Sequence, residues 1–156
     1  MKTISVLSDT HGNISSIEKI FPILKESDYV VHLGDGARDM KYFERELKGK
    51  LIYVRGNCDF SSEEKYSVLE IENLKILVTH GDLFGVKQSL LRLRMFAEEN
   101  GACAAFYGHT HVAEECTDNG ILLFNPGSLS AYSAFQSYGF VCVANGKMVC
   151  KINKLI

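Results

Sequence analysis

The sequence predicts an α/β domain built on mixed β-sheets, and three observations carry that reading. Six short apolar runs recur along the chain, each ending in a polar cluster that contains glycine. Segments with helical spacing lie between several of these runs, as strands alternating with helices require. The later part of the chain adds the turn signals of antiparallel hairpins. With 156 residues, the chain is expected to form one domain, 1–156, large enough to bury a substantial core.

The first run, "TISVLSD" (3–9), is apolar almost without alternation, which suits a strand covered on both faces. Ile14, Ile17, Phe21 and Leu24 then space like one face of a helix, with Asn13 at the N-cap position. Pro22 is expected to kink or restart that helix. "YVVHLGDG" (29–36) is the second strand, and His32 inside it reads as a core histidine with its hydrogen bonds satisfied. A second helix is expected over 38–47, followed by the strand "LIYVRGNCD" (51–59). "SVLEIENLKILV" (67–78) reads as a hairpin whose second arm runs into "THGD". A third helix, 86–99, closes at Asn100-Gly101. "CAAFYGHTH" (103–111) is a further buried strand, and "EECTDNGILLF" (114–124) is a hairpin leading into "NPGS". The last hairpin, "FVCVANGKMVCKI" (140–152), turns at Asn145-Gly146. A two-residue turn there sets Cys142 opposite Val149 and Cys150 opposite Val141, so the two thiols point to opposite faces and no disulfide forms.

Composition excludes several classes of function. The formal charge is −2, which leaves no footprint for gripping a nucleic-acid backbone. Lys87, Arg92 and Arg94 on the third helix read as a solvated face. No apolar run approaches the roughly 20 residues that span a bilayer. The N-terminus lacks a basic stretch followed by an apolar segment and a cleavage site, so a cytoplasmic protein is expected. Five cysteines without a C-x-x-C pair fit reduced thiols in a reducing compartment.

The polar ends of the apolar runs carry the chemistry. They hold Asp9 and His11, then Asp35, then Asn57, then His80, then His109 and His111, which take four of the chain's five histidines. Open α/β sheets place ligands beyond the carboxyl ends of their strands, so these residues are expected to converge. Any one cluster alone is an ordinary turn or helix cap. Together they are a set of hard oxygens and imidazole nitrogens without a thiolate, suited to Mn²⁺, Fe²⁺, Zn²⁺, Ni²⁺ or Co²⁺. Seven ligands are too many for one ion and fit two ions sharing a carboxylate. Such a pair, roughly 3.5–4 Å apart, can clamp a phosphoryl group and acidify a water.

In order, D-T-H (9–11), G-D (34–35), G-N-C-D (56–59), H-G (80–81) and G-H-T-H (108–111) resemble the motifs of the calcineurin-like metallophosphoesterase superfamily. "NPGS" (125–128) resembles a further element of its small prokaryotic phosphodiesterase branch. The resemblance implies a four-layer αββα sandwich of two mixed sheets and a metal-dependent phosphoric ester hydrolase. One divalent ion, with Mn²⁺ first and Mg²⁺ also open, would be held by Asp9, His11 and His111. A second would be held by Asn57, His80 and His109, with Asp35 bridging the two. A bridging hydroxide would attack phosphorus in line. Asn57, Cys58, His80 and Asp59 are the implied catalytic positions, and a small phosphodiester or nucleotide-like compound is the implied substrate.

Where many relatives carry histidine, this chain carries Cys58, a weaker proton donor at neutral pH. A preference for esters with good leaving groups is therefore expected. Cys58 also reads as a packing residue or as a nucleophile paired with a histidine. Asp82 is expected to orient a ligand imidazole. Asn13 reads either as a helix cap or as a contact to a phosphate oxygen, and Arg55 either as a surface ion pair or as a substrate cation. The other class of function is a scaffold like the retromer subunit of this fold, which binds proteins through its surface. Exposed hairpin edges also suggest a homodimer or a larger homo-oligomer.

Overall fold

Ten strands among the described residues, 1–155 of this computed structural model, divide into two five-stranded sheets. The first sheet runs β10 (Lys147–Lys154), β9 (Ser137–Ala144), β1 (Lys2–Leu7), β2 (Tyr29–His32), β3 (Leu51–Tyr53). The second runs β4 (Tyr66–Ile71), β5 (Leu74–Thr79), β6 (Ala104–Phe106), β8 (Ile121–Asn125), β7 (Glu114–Asp118). Strands β1, β2 and β3 are mutually parallel, as are β5, β6 and β8, while hairpin arms close the remaining edges in antiparallel fashion. Both sheets are therefore mixed, as the sequence predicts.

Side chains from the two sheets interlock in one apolar layer that includes Ile4, Val31, Ile76, Phe106, Phe124 and Val141. On the outer face of the first sheet, Ile17, Ile20 and Leu24 of α1 (Ile14–Glu26) pack with Leu7 and Val30. On the outer face of the second, Leu93 and Ala97 of α3 (Leu91–Glu99) pack with Leu77, Ala105 and Leu123. The order helix, sheet, sheet, helix is the four-layer sandwich. It also explains the apolar runs, because the central parallel strands are covered on both faces.

The helices differ from the sequence reading in their bounds. The first continues through Pro22 without restarting. The second is a single short turn, α2 (Ala37–Met40). Beyond it, turns carry Met40, Phe43 and Leu47 into the core, with the Phe43 and Leu47 N–H groups donating to Met40 and Phe43 carbonyls. A helix-like apolar spacing is thus met without a regular helix. The third starts at Leu91 rather than 86, where the Ser89 hydroxyl accepts the Leu91 N–H. It ends as expected: Gly101 at φ 68° donates to Glu98, and Ala102 donates to Ala97, the paired bonds of a Schellman motif. The last hairpin keeps its expected register, with Val149 opposite Cys142 and Val141 opposite Cys150, and all five cysteines are free thiols.

Candidate metal centre

Parallel strands of both sheets deliver their carboxyl ends to one place. From the first sheet, β1 leads to Asp9 and His11, β2 to Asp35 and β3 to Asn57. From the second, β5 leads to His80, and β6 to His109 and His111. Side-chain contacts join the two sets, and all seven residues meet in one cluster.

His80 organises one half of that cluster. Its Nδ1 lies 2.8 Å from the Leu33 carbonyl, which can only accept, so Nδ1 carries the proton and Nε2 presents a lone pair. That Nε2 lies 2.9 Å from Asn57 Oδ1, 3.1 Å from His109 Nδ1 and 3.2 Å from Asp35 Oδ2. Four electron-rich atoms thus face one point. The other half centres on Asp9 Oδ1, which lies 3.1 Å from His111 Nε2 and 3.5 Å from His11 Nε2. His11 Nε2 is also 3.6 Å from Asp35 Oδ2, so that single oxygen faces both halves.

Each carboxylate is held by its other oxygen. Asp9 Oδ2 accepts the Ser8 hydroxyl at 2.6 Å and the His109 N–H at 3.0 Å. Asp35 Oδ1 accepts the Cys58 N–H at 2.8 Å. Asp9 and His80 are fully buried and Asp35 nearly so, whereas His11, Asn57 and His111 are exposed at the mouth. Burial would raise the Asp9 carboxyl, but bonds from His11 and His111 and the nearby His80 hold it far below the usual carboxylate range. Burial works against the charged His80 too, yet Asp35 and Asp9 raise its pKa overall. Burial and the neighbouring His80 lower His109.

Backbone strain concentrates here. Asp9, His11, Asp35, His109 and His111 all adopt positive φ, between 42° and 70°. The other non-glycine residues with positive φ, Glu72, Asn73, Asn119 and Asn145, sit in hairpin turns. Left-handed backbone at five non-glycine positions persists only where the surroundings enforce it, and such positions cluster at functional sites. The donor chemistry fits divalent cations: a converging set of lone pairs and two carboxylates repels itself until a positive charge is placed within it. Asp9, His11 and His111, and separately Asp9, Asp35 and His80, offer ligand atoms within 4.8 Å of one another.

The other sequence-singled residues fall differently. Asp59 does not face the cluster. Its Oδ2 accepts from Tyr53 OH (2.6 Å), Gly56 N (2.8 Å) and Asp35 N (2.9 Å), and its Oδ1 from Gly36 N (3.1 Å) and Ala37 N (3.2 Å). It fastens the Asp35 and Asn57 loops together. Cys58 is exposed, with its sulfur within 4.8 Å of ligand atoms of His11 and Asp35. Partial desolvation of the sulfur and the adjacent Asp35 push the pKa of the thiol up in the metal-free protein. Asn13 sits before α1 without a side-chain cap; its Nδ2 donates to the Leu129 carbonyl at 2.8 Å. Arg55 turns toward the Ser61 carbonyl, 3.5 Å away. Asp82 pairs with Lys65 at 3.2 Å rather than with an imidazole.

His32 is the core histidine expected. It is fully buried, stacks on Tyr53 with ring centroids 5.0 Å apart, and accepts the Gly34 N–H at Nδ1. Its Nε2–H faces Thr10 Oγ1, whose own proton goes to Asp39 Oδ2 at 2.6 Å. Sequence reasoning missed this brace under the Asp9–His11 turn, completed by the Gly12 N–H donating to Asp39. It also missed how "NPGS" acts: Asn125 donates to the Gly108 carbonyl and Thr110 hydroxyl, and Ser128 to the Asp9 carbonyl at 2.9 Å.

A two-sheet sandwich with this cluster at its parallel strand ends is the architecture of a metallophosphoesterase. The family model described as the calcineurin-like phosphoesterase superfamily domain matches residues 1–147, and the chain belongs to that superfamily. Its relatives include "Probable metallophosphoesterase YsnB" of Bacillus subtilis (strain 168), 35% identical over 144 residues and covering 90% of this chain and 83% of that protein. Phosphodiesterase YfcE of Escherichia coli (strain K12) is 30% identical over 155 residues, covering 83% and 80%. A solved structure from Streptococcus pneumoniae TIGR4, a "predicted phosphoesterase", superimposes with a TM-score of 0.83 at 29% identity, over 98% of this chain and 89% of that one. Vacuolar Protein Sorting 29 from Cryptosporidium parvum shares the fold, with a TM-score of 0.77 at 16% identity over 99% and 97%.

Proposed function

We propose that this chain is a metal-dependent phosphodiesterase that works through a dinuclear centre, with small or nucleotide-like phosphodiesters as substrates. The observation that carries the proposal is the meeting of lone pairs around His80 Nε2 and Asp9 Oδ1, joined by Asp35 Oδ2. Asp9, His11 and His111 would hold one ion, and Asn57, His80 and His109 the other, with Asp35 shared. Bound there, two divalent ions such as Mn²⁺ would supply an acidified bridging water as nucleophile and positive charge against the phosphoryl oxygens.

The chain's own residues fix the geometry of that step. Leu33 holds His80 in the tautomer that leaves Nε2 free, and the Ser8 hydroxyl and Cys58 N–H each turn a carboxylate so that one oxygen faces inward. Asp59 acts as a positioning residue by clamping the two loops. The Cys58 thiol beside the site is a weaker proton donor than an imidazole, which suits esters whose leaving groups depart without full protonation. No helix among the described residues is long and apolar enough to cross a membrane. The five free thiols support a reducing, cytoplasmic setting as part of the same proposal.

The Vps29 structures share this fold, and one from Entamoeba histolytica is complexed with Zn²⁺, so metal binding alone does not separate an enzyme from a scaffold. Turnover does. Hydrolysis of bis(p-nitrophenyl) phosphate should depend on Mn²⁺, stop with EDTA and return when Mn²⁺ is restored. Absence of turnover with every divalent ion tried would favour the scaffold. Metal-independent activity abolished by iodoacetamide would favour Cys58 as nucleophile.

A further inference from the structure

Beside the metal centre lies a cavity of about 780 Å³, within the range of small-molecule sites and far roomier than one phosphodiester group needs. His11, Asp35 and Cys58 form its inner wall. Its outer wall carries Arg38, Lys41 and Tyr42, together with Ile14. Arg38, Lys41 and Tyr42 follow an i, i+3, i+4 spacing at and just beyond α2, and all three are exposed.

The charges on this wall are not equivalent. The carboxylates that line it are hydrogen-bonded to the fold: Asp39 through Oδ2 to Thr10 and Gly12, Asp59 to its five loop donors, and Asp35 to Cys58 N and the cluster. The two cations are uncommitted. Among the described residues, neither Arg38 nor Lys41 has a carboxylate within ion-pair distance or a side-chain hydrogen bond. The exposed charges on the outer wall are therefore the two cations, while Asp35 and Asp39 lie nearly buried behind them. Tyr42, 74% exposed, adds a free aromatic face.

From this arrangement we infer that Arg38 and Lys41 form a second anion subsite, selecting phosphodiesters that carry an additional phosphate on their organic group. Tyr42 offers its ring to a planar moiety lying between the two anions. Arg38 suits a forked contact to phosphate oxygens, and Lys41 supplies a mobile point charge. The inference rests on the phosphodiesterase reading for the location of the scissile group and extends it to substrate class.

A matched pair of esters tests it: thymidine 5′-(p-nitrophenyl phosphate) and the same compound bearing a 3′-phosphate. Leaving group, base and scissile bond are shared, so only the extra anion differs. The 3′-phosphate should raise kcat/KM of the Mn²⁺-loaded protein by about tenfold, chiefly through KM, which corresponds to about 1.4 kcal/mol. Arg38→Gln and Lys41→Gln should each shrink that ratio and the double variant should bring it near one, while Arg38→Lys should retain part of it. Calorimetric titration with thymidine 3′,5′-bisphosphate against thymidine 5′-monophosphate should show the same advantage and the same losses. A ratio near one in the unaltered protein, or one that survives the double substitution, would overturn the subsite. Failure to turn over either ester, with the calorimetric advantage intact and lost in the double variant, would overturn the phosphodiesterase reading and leave the subsite standing.

Discussion

Acidification should expose the burial of His32 as a measurable loss of stability. The fully buried imidazole is held at a pKa of about 4, below its ordinary 6.5, chiefly because burial penalises the charged form. Its hydrogen bonds fit only the neutral ring: Nδ1 accepts from Gly34 N at 3.1 Å, and protonating it would set two donors face to face. The unfolded chain takes up a proton as pH falls through 6.5, and the folded chain does so only near 4. His32 therefore favours folding fully above 6.5, and that contribution is lost progressively between 6.5 and 4. The gap between the two pKa values corresponds to about 3 kcal/mol. Histidines raised by the fold, such as His11 and His80, change their contribution above 6.5 and so leave this window clear. His109, which is lowered, adds in the same direction, and comparison with a His32 variant removes it. Urea unfolding in EDTA at pH 7, 5.5 and 4.5 should show stability falling in the unaltered protein and a shallower slope in His32→Gln. Equal slopes would refute the reasoning, whatever the absolute stability of the variant.

Three further outcomes follow from the loops around the cluster. Gly34 lies at φ 105°, and a Cβ there would sit 2.7 Å from Gly56 N and 2.8 Å from His80 Nδ1; Gly34→Ala should cost about 2 kcal/mol or more and weaken metal affinity, read by denaturation and metal titration. Asp59→Asn keeps the shape but sets an amide against backbone donors, so it should cost about 2–4 kcal/mol in thermal or urea unfolding, and an unchanged midpoint would remove Asp59 from its clamping role. Cys58→Ser should retain turnover within a few-fold, whereas Cys58→His should weaken the dependence of rate on leaving-group pKa. Loss of about a thousandfold in the serine variant would restore the thiol as nucleophile.

Much of this architecture is legible because it depends on local pattern. Near-continuous apolar runs mark strands covered twice, and Asn145-Gly146 sets the register of the last hairpin before any tertiary contact is known. Metal-binding residue types at successive strand ends disclose the cluster because parallel strands in an open sheet end on one side. What sequence spacing does not carry is long-range partnership. Asn13 has the chemistry of a cap, yet its amide is taken by the Leu129 carbonyl, 116 residues away. Asp59 appears catalytic by position within its motif, and only the fold brings five donors around it. Arg38 and Lys41 look like any solvated helix face until the cavity beside them is seen, while Arg55, closer to the motif, turns away. The second helix fails because Met40, Phe43 and Leu47 repeat like a helix face while consecutive turns satisfy the same core contacts. Positive φ at Asp9, His11, Asp35, His109 and His111 is not fixed by the sequence: Asp and His tolerate the left-handed region better than most residues but adopt it only where the fold requires it.

The central claim is that two ions share Asp35 between two sets of ligands, and metal stoichiometry at equilibrium tests it most directly. Mn²⁺ bound per chain, counted by elemental analysis after reconstitution and gel filtration, should be two in the unaltered protein. It should fall to about one in His11→Ala and in His80→Ala, with turnover of bis(p-nitrophenyl) phosphate lost in both. One ion in the unaltered protein, or two retained in either variant, would contradict the account.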